Sequence, residues 1–298
     1  MPHIPIFLII PLVAGFLCSL AFMLMKRALA EGMDTWRTAI AFNVAAALIV
    51  SPLLVFARTP GIGAAWYQPV IAGCLFFGGT FFWVQAINHG DVSLVGPLMG
   101  TKVLLVAFFT VILLGQPVEP VLWFSAVLVA VALAFLRGFG RGHHQHFWIT
   151  VLLAMCGAVF YGLCDICFQA WAHRWGFGLF IPSVLVVVAT FSVLASFCLS
   201  RNTSPPVAAW KWLVAGCVFN GLQITGMAIS LSQFRHDNAA TAINIVYNSR
   251  SISTVLLVWL VGHWFGNTER AQGPVVMTAR AVGAALLITA IALTLLAA

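Results

Sequence analysis

Two stretches of this chain decide its fold: VSLVGPLMGTKVLLVAFFTVILL, from Val92 to Leu114, and AATAINIVYNSRSISTVLLVWLVGHW, from Ala239 to Trp264. Each is long and apolar enough to predict a membrane-spanning helix, yet each carries a cation near its middle, Lys102 and Arg250 respectively. A cation near the bilayer centre costs at least ~2.5 kcal/mol, so it normally faces a protein interior or a watery cavity and has a function. The two stretches therefore predict a membrane protein with a charged central site.

The composition of the whole chain agrees with this prediction. Of its 298 residues 62% are hydrophobic and 7% charged, with a mean hydropathy of +1.05, which is more apolar surface than a soluble domain can bury. About 20 apolar residues cross the hydrocarbon core as a helix. We predict an all-α polytopic protein with ten spans: Ile4–Met25, Trp36–Phe56, Trp66–Asn88, Val92–Leu114, Val121–Leu136, Phe147–Trp171, Leu179–Leu199, Trp210–Ser232, Ala239–Trp264 and Val275–Leu296.

The basic residues predict the orientation of these spans. Nine flank odd-numbered loops and three flank even-numbered loops, so the positive-inside rule places the odd loops in the cytoplasm and both termini outside. The nine are Lys26, Arg27, Arg37, Arg137, Arg141, Arg201, Lys211, Arg270 and Arg280; the three are Arg58, Arg174 and Arg235. Because these cations are scattered singly, the net charge of +7 predicts no nucleic-acid partner.

Several kinds of chemistry find no support in the sequence. Phosphate-binding loops, acyl-transfer triads and paired catalytic carboxylates are missing, so we predict neither an enzyme nor an ATPase, and no cofactor. Cys164 and Cys167 have the spacing of a metal knuckle but lie inside a predicted helix without a second pair, and we predict no metal site. His143, His144 and His146 fit a solvated linker or a weak metal site.

An internal repeat relates the two halves of the chain. The segment AGCLFFG at 72–78 resembles AGCVFNG at 215–221, and residues 89–115 align without a gap with residues 236–262. This alignment sets Thr101 opposite Asn248, and Lys102 one step from Arg250. We predict halves at 1–140 and 141–298, each with five helices. Because five is odd, the second half must be inserted upside down relative to the first.

Two further motifs resemble a known family. GDVSLVGPL at 90–98 is similar to the Gly-Asp-Ala-Ser-x-x-x-Pro-Leu signature of the EamA-like drug/metabolite transporters, and LLGQPVEP at 113–120 is similar to their Leu-Gly-Glu stop. In the second half Gly262 is kept, but Asn244 stands where the proline would be. The resemblance implies a cavity lined mainly by the third, fourth, eighth and ninth helices and open to each face in turn. It also implies termini inside in many bacterial members, against the charge count, and it leaves the substrate open.

Polar side chains gather on the third, eighth and ninth spans. Asn244, Tyr247 and Asn248 lie on one helical face, where such groups either bond between helices or line a cavity. Their confinement to a few spans favours the cavity. The candidate substrate-binding residues are Lys102, Arg250, Asn244, Tyr247, Asn248, Thr101, Gln223, Asn220, Trp83 and Phe219.

Asp165 is the one acidic residue deep in a predicted span. As a structural partner or a coupling group it can neutralise Lys102 or Arg250, but not both. The other cation then predicts an anionic group in the cavity for part of the cycle. Arg binds carboxylate or phosphate bidentately, whereas Lys acts as a point charge.

Three functions remain open at this point. The first is a secondary transporter of a small anionic or zwitterionic metabolite, and the second an exporter of cationic or aromatic compounds with Asp165 as their counter-charge. The third is a non-transporting membrane scaffold, in which both cations have structural partners. For each we expect a monomer or homodimer in a lipid bilayer, the cytoplasmic membrane of a prokaryote, and for the first two a small-molecule substrate.

Overall fold

The computed structural model describes residues 6–89, 95, 98–137, 147–199, 207–233, 239–261 and 274–297, and every regular element in these ranges is helical. A 3-10 helix, Ser51–Phe56, follows the second α-helix. The α-helices are α1 (Ile6–Ala30), α2 (Thr35–Val50), α3 (Tyr67–His89), α4 (Lys102–Leu114), α5 (Pro120–Arg137), α6 (Phe147–Trp175), α7 (Phe177–Leu199), α8 (Val207–Gln233), α9 (Ala239–Tyr247), α10 (Arg250–Val261) and α11 (Pro274–Ala297).

The lengths and compositions of these helices are those of a multi-pass membrane protein. Within the described residues, six helical segments are long and apolar enough to cross a membrane. They lie in α1, α3, α6, α7, α8, and α2 together with its 3-10 extension. Three shorter apolar helices cover residues 98–114, 120–135 and 281–296. The predicted all-helical membrane class is therefore confirmed.

The second predicted span changes its helix type before it ends. Asp34 caps α2 by accepting a hydrogen bond from the Arg37 amide to its Oδ2 at 3.1 Å. From Ser51 to Phe56 the chain is a 3-10 helix, because Pro52 has no N–H to donate to an α-helical partner. The predicted span from Trp36 to Phe56 is thus one helical segment, Thr35–Phe56, whose last six residues are a 3-10 helix.

The two stretches that decide the fold are interrupted where the repeat aligns them. In the first, residues 98–100 are helical, Thr101 forms a turn, and α4 begins at Lys102. In the second, α9 ends at Tyr247, residues 248 and 249 form a turn, and α10 begins at Arg250. Each predicted span therefore contains a turn, and each cation is the first residue of the helix after that turn.

Side chains that compete with helical hydrogen bonding explain these breaks. The Thr101 hydroxyl donates to the Leu98 carbonyl at 2.6 Å, and the Asn248 amide donates to the Asn244 carbonyl at 2.8 Å. Thr and Asn offer the backbone such local alternatives to the regular ladder. Shorter-range backbone bonds accompany them, from Thr101 N to Leu98 O and from Ser249 N to Val246 O.

Helix packing brings the two halves of the chain together rather than keeping them apart. The most extensive contacts join α1 to α8, α3 to α6 and α5 to α11. Next come α2 with α7 and α8, and α3 with α7. The two interrupted spans each contact a helix of the other half of the chain, since α4 packs on α6 while α9 and α10 pack on α1.

Some predicted features lie outside the described residues. They are most of the first family motif (90–94, 96 and 97), the linker histidines His143, His144 and His146, and the end of the second decisive stretch from Gly262 onward.

Candidate functional site

A carboxylate on α6 connects the two interrupted spans. Lys102 Nζ lies 2.7 Å from Asp165 Oδ2, and Asn244 Nδ2 on α9 donates to the same oxygen at 2.8 Å. The side chains of Lys102 and Asp165 are only 15% and 13% exposed. A buried charge pair of this kind keeps its place only when hydrogen bonds complete it, and Asn244 supplies one. The cation of the first break is therefore compensated.

The cation of the second break has no such partner. The Arg250 guanidinium carbon lies 4.9 Å from the centre of the Tyr247 ring, and Nη1 lies 3.9 Å from Cys18 Sγ on α1. Among the described residues no carboxylate approaches Arg250 within salt-bridge distance. A tyrosine face and a thiol attract a guanidinium much less than a carboxylate does. Arg250 thus holds a half-buried positive charge that no carboxylate of the described residues balances.

A short chain of hydrogen bonds fixes the ring beneath this guanidinium. The Tyr247 hydroxyl donates to Gln223 Oε1 on α8 at 2.7 Å, and Gln223 Nε2 donates to Asn220 Oδ1 at 3.3 Å. Tyr247 and Gln223 are buried, whereas Asn220 is partly exposed. The predicted residues Asn220, Gln223, Tyr247 and Arg250 thus form one connected group.

Helix α1 closes on the break between α9 and α10. A Cβ on Gly15 would lie 2.9 Å from the Tyr247 carbonyl oxygen and 3.0 Å from Ser249 Oγ, so glycine is needed for this approach. One turn later, the Ser19 hydroxyl lies 2.7 Å from the Arg250 carbonyl oxygen. The backbone of the break is thus held by a helix from the other half of the chain.

Three polar atoms near the break lack a hydrogen-bond partner in the described part of the chain: Asn244 Oδ1, Asn248 Oδ1 and Ser249 Oγ. Their residues are 0%, 3% and 6% exposed. The Asn248 oxygen faces the other break, since a Cβ on Gly100 would lie 3.4 Å from it. Unpartnered buried oxygens cost free energy and are uncommon in folded proteins. They are acceptors available to a donor that binds between the breaks.

The remaining predicted residues contribute less directly. The Thr101 hydroxyl bonds to its own helix and lies 3.6 Å from Met155 Sδ, so it shapes the first break. Trp83 packs on Phe22 of α1, with ring centres 5.8 Å apart. Phe219 is half-buried on α8, beside Asn220. The described contacts thus place Thr101 and Trp83 among packing neighbours.

Sequence reasoning named Asp165 on α6 but missed the residues that α1 contributes to the site. The family resemblance pointed mainly to the third, fourth, eighth and ninth helices, and it named neither Cys18 nor Ser19. It also missed Tyr161, whose hydroxyl lies 3.0 Å from Thr80 Oγ1 and whose ring packs edge-on against Phe76. Tyr161 stands one helical turn before Asp165, and that spacing was the signal available for it.

The two cysteines beside Asp165 serve helix packing. Cys164 and Cys167 are buried free thiols, and Cys164 Sγ donates to the Ala72 carbonyl oxygen on α3 at 3.4 Å. Within the described ranges no three His, Cys, Asp or Glu side chains come close enough together to hold a metal ion.

Comparison with known proteins relates the first part of the chain to a family. Residues 4–138 match the sequence model of the EamA-like transporter family. The predicted resemblance is confirmed over this segment, which covers less than half of the chain. No curated protein matches the sequence.

The fold of the whole chain is also found in solved structures. One protein of known crystal structure is 21% identical and superposes with a TM-score of 0.74 over 97% of this chain and 99% of its own. At that identity the likeness concerns the fold alone. It extends the comparison over the second half of the chain, which the family match does not reach.

Proposed function

We propose that this protein is a secondary transporter that carries a small organic anion or zwitterion through a cavity containing Lys102 and Arg250. The observation that carries the proposal is the unequal pairing of the two cations: Asp165 neutralises Lys102, and Arg250 has no carboxylate within reach in the described chain. An uncompensated cation inside a membrane protein is costly. An anionic group on the substrate offsets that cost when it binds.

The start of α10 adds to the attraction for an anion. Arg250 is the first residue of this 12-residue helix, and Lys102 is the first residue of the 13-residue α4. A helix N-terminus carries a partial positive charge, and interrupted transporter helices use such ends for anionic substrate groups. The unpartnered Asn248 oxygen supplies an acceptor, which suits the ammonium group of a zwitterion.

Ten spans in two inverted halves would account for the helix packing. In this scheme α1 corresponds to α6, α2 to α7, α3 to α8 and α5 to α11. The pair α9 and α10, which share one interrupted span, corresponds to α4. The contact of α1 with α8 then mirrors that of α6 with α3, and the contact of α4 with α6 mirrors that of α10 with α1. Gly73 on α3 also lies against Val187 of α7, as Gly216 on α8 lies against Phe42 of α2. This two-fold pattern supports alternating access by rocking of the two halves, 1–140 and 141–298.

Two other functions fit the geometry less well. An exporter of cations needs a free carboxylate, but Asp165 Oδ2 already accepts from Lys102 and Asn244. A scaffold needs structural partners for both cations, and Arg250 has only a ring and a thiol among the described residues.

Thermal unfolding of the detergent-purified protein tests the proposal. The ligands are acetate and acetamide, which differ in charge; glycine betaine and choline, which share a cationic group; and L-glutamate and inorganic phosphate. A ligand at 100 times its Kd stabilises the folded protein by about 2.7 kcal/mol. We expect stabilisation by at least one ligand that bears a carboxylate or phosphate, and none by choline or acetamide.

Two variants make the result specific. Arg250→Gln removes the uncompensated charge, whereas Arg58→Gln removes an exposed charge from the loop before α3. Stabilisation by the anion should vanish in the first and persist in the second. If choline stabilises the protein and the anions do not, the cation exporter is the better reading. Equal stabilisation of both variants would remove Arg250 from the site.

A further inference from the structure

We propose that Asp165 is a proton-binding site, at which the carboxylate and the transported anion compete for Lys102, so that one proton accompanies each anion. This inference rests on the proposed function and names its coupling ion. It is carried by one amide, that of Asn244, which donates to Asp165 through Nδ2 while its own Oδ1 has no partner in the described chain.

The Asn244 side chain meets the needs of both forms of Asp165. The ionised carboxylate accepts at Oδ2 from Asn244 Nδ2, at 2.8 Å, and from Lys102 Nζ, at 2.7 Å. When Asp165 takes up a proton it gains an O–H donor. Asn244 Oδ1, fully buried and unpartnered, is the acceptor on the same amide. An acid and an amide paired through both groups leave no buried polar atom of Asn244 unsatisfied.

The proton step balances in atoms and charge. A proton from water adds to the Asp165 carboxylate, the hydrogen bond from Lys102 Nζ to Oδ2 breaks, and Lys102 keeps its charge. The anion then takes the place of the carboxylate beside Lys102. On release to the other side the anion leaves Lys102, Asp165 gives its proton to water, and the pair of Lys102 with Asp165 forms again.

The exchange leaves the net charge of the site unchanged. With Lys102, Arg250 and ionised Asp165 the empty site carries one net positive charge. A protonated Asp165 and a bound monoanion leave the same net charge, and the anion then pairs with the two cations in place of the carboxylate.

The carboxyl group of Asp165 is not fully enclosed by its neighbours. Its side chain keeps 13% of its surface exposed, and Oδ1 is bonded to none of the described residues. Lys102 from α4 and Asn244 from α9 contact it, and the thiols of Cys164 and Cys167 flank it on α6. In the described parts of α3, α7 and α8 no charged side chain contacts it. The remaining charge of the site is Arg250, on α10.

Calorimetric titration at several pH values tests the proposal. The probes are acetate, L-glutamate, glycine betaine and inorganic phosphate, added to the wild-type protein and to Asp165→Asn. Uptake of one proton per anion makes Kd fall about tenfold for each unit by which the pH is lowered. An asparagine at position 165 resembles the protonated acid. The Kd of Asp165→Asn for the anion should therefore not change with pH, and it should equal the value that the wild-type protein reaches at low pH. Glu119→Gln, which alters an exposed carboxylate between α4 and α5, should keep the wild-type slope.

Infrared difference spectra of the wild-type protein give a second readout that does not depend on a variant. Addition of a bound anion should produce the carbonyl band of a protonated carboxyl group, and Asn244→Leu should shift that band because its acceptor is lost. A Kd independent of pH, an unchanged slope in Asp165→Asn, or a bound anion without the new band overturns the proton site and leaves the proposed function standing. If no anion binds the wild type at any pH, both fail together.

Discussion

At the scale of single residues, the partners of Lys102 and Arg250 define what the site can do. The composition of the spans limits the choice, because Asp165 alone is acidic and deep, so one of the two cations had to lack a fixed carboxylate. Which cation that is depends on the packing of α4 against α6, and spacing along the chain carries no such information. The role of the Asn244 amide could not be predicted either, because a helical face shows which side chains are neighbours and not which atoms bond.

Neutralisation of either cation should weaken binding of an anionic ligand. In Arg250→Gln and in Lys102→Gln we expect losses of about 2–5 kcal/mol, or roughly 30-fold or more in Kd, because each removes a buried charged partner of the ligand. The double variant should lose less than the sum, since both cations address one ligand. The Kd of Arg250→Lys should lie between those of the wild type and Arg250→Gln, because lysine keeps the charge but lacks the guanidinium that binds an anion bidentately. Calorimetry on the anion found by thermal unfolding measures all four.

Losses that simply add would place the two cations in separate sites. Unchanged affinity in both single variants, with a clear fall in unfolding temperature, would make the charges structural.

Replacement of Asp165 should affect stability in the absence of ligand. Asp165→Asn leaves Lys102 buried without its anion, and breaking a buried pair from one side costs about 3–5 kcal/mol. Lys102→Gln in the same chain should recover most of that loss, since no uncompensated charge remains. A bound anion should also recover it, because the anion takes the place of the carboxylate. Denaturation in detergent with and without ligand provides the comparison, and a double variant no more stable than Asp165→Asn would contradict it.

At the scale of helices, the breaks at Thr101 and at 248–249 are the features that hydropathy cannot detect. Each stretch is apolar on both sides of its break, so a hydropathy average over the length of a span predicts a continuous helix. The Asn-Ser pair before Arg250 was the local signal, because both residues bond to nearby backbone in place of the helical ladder. The repeat alignment held further information: it sets Thr101 opposite Asn248, and the two turns do occur at matching positions.

Two glycines, one on α1 and one on α8, offer a matched test of how closely α1 packs on the break between α9 and α10. A methyl group at Gly15 of α1 would meet the Tyr247 carbonyl at 2.9 Å and Ser249 Oγ at 3.0 Å. At Gly226 of α8 the nearest atoms lie at 3.5 Å, an ordinary contact. Gly15→Ala should therefore cost about 1–3 kcal/mol and weaken anion binding by moving Arg250. Gly226→Ala should be neutral or stabilise the helix by up to ~1 kcal/mol.

The same unfolding and binding assays decide this case. If Gly15→Ala and Gly226→Ala have similar stability and similar anion affinity, the backbone of the break moves aside at little cost and α1 does not position Arg250.

At the scale of the whole molecule, the sequence predicted the all-helical membrane class and the family resemblance of residues 4–138. The repeat and the odd number of helices in each half predict inversion, and the helix contacts exchange in pairs between the halves. The contribution of α1 to the site was harder to predict from the sequence, because the repeat aligns the first and sixth helices through little more than Gly15 and Gly157. Cys18 and Ser19 also look like ordinary packing residues until the break that α1 covers is known.

The orientation of the halves gives the last prediction. The nine-to-three distribution of Lys and Arg places odd-numbered loops in the cytoplasm, and inversion requires equivalent loops to face opposite sides. Ile62 lies in the second loop and is fully exposed. By sequence, Asn202 belongs to the equivalent seventh loop and Gly142 to the fifth loop.

Labelling of single cysteines in a chain without its native cysteines tests this orientation. A membrane-impermeant thiol reagent applied to intact cells should label Ile62→Cys, while Gly142→Cys and Asn202→Cys should react only after permeabilisation. The reverse pattern at all three positions would keep the inversion and turn the whole molecule over, with its termini inside. Labelling of Ile62→Cys and Asn202→Cys from one side would mean that the halves run parallel, and rocking about an inverted two-fold axis would then be wrong.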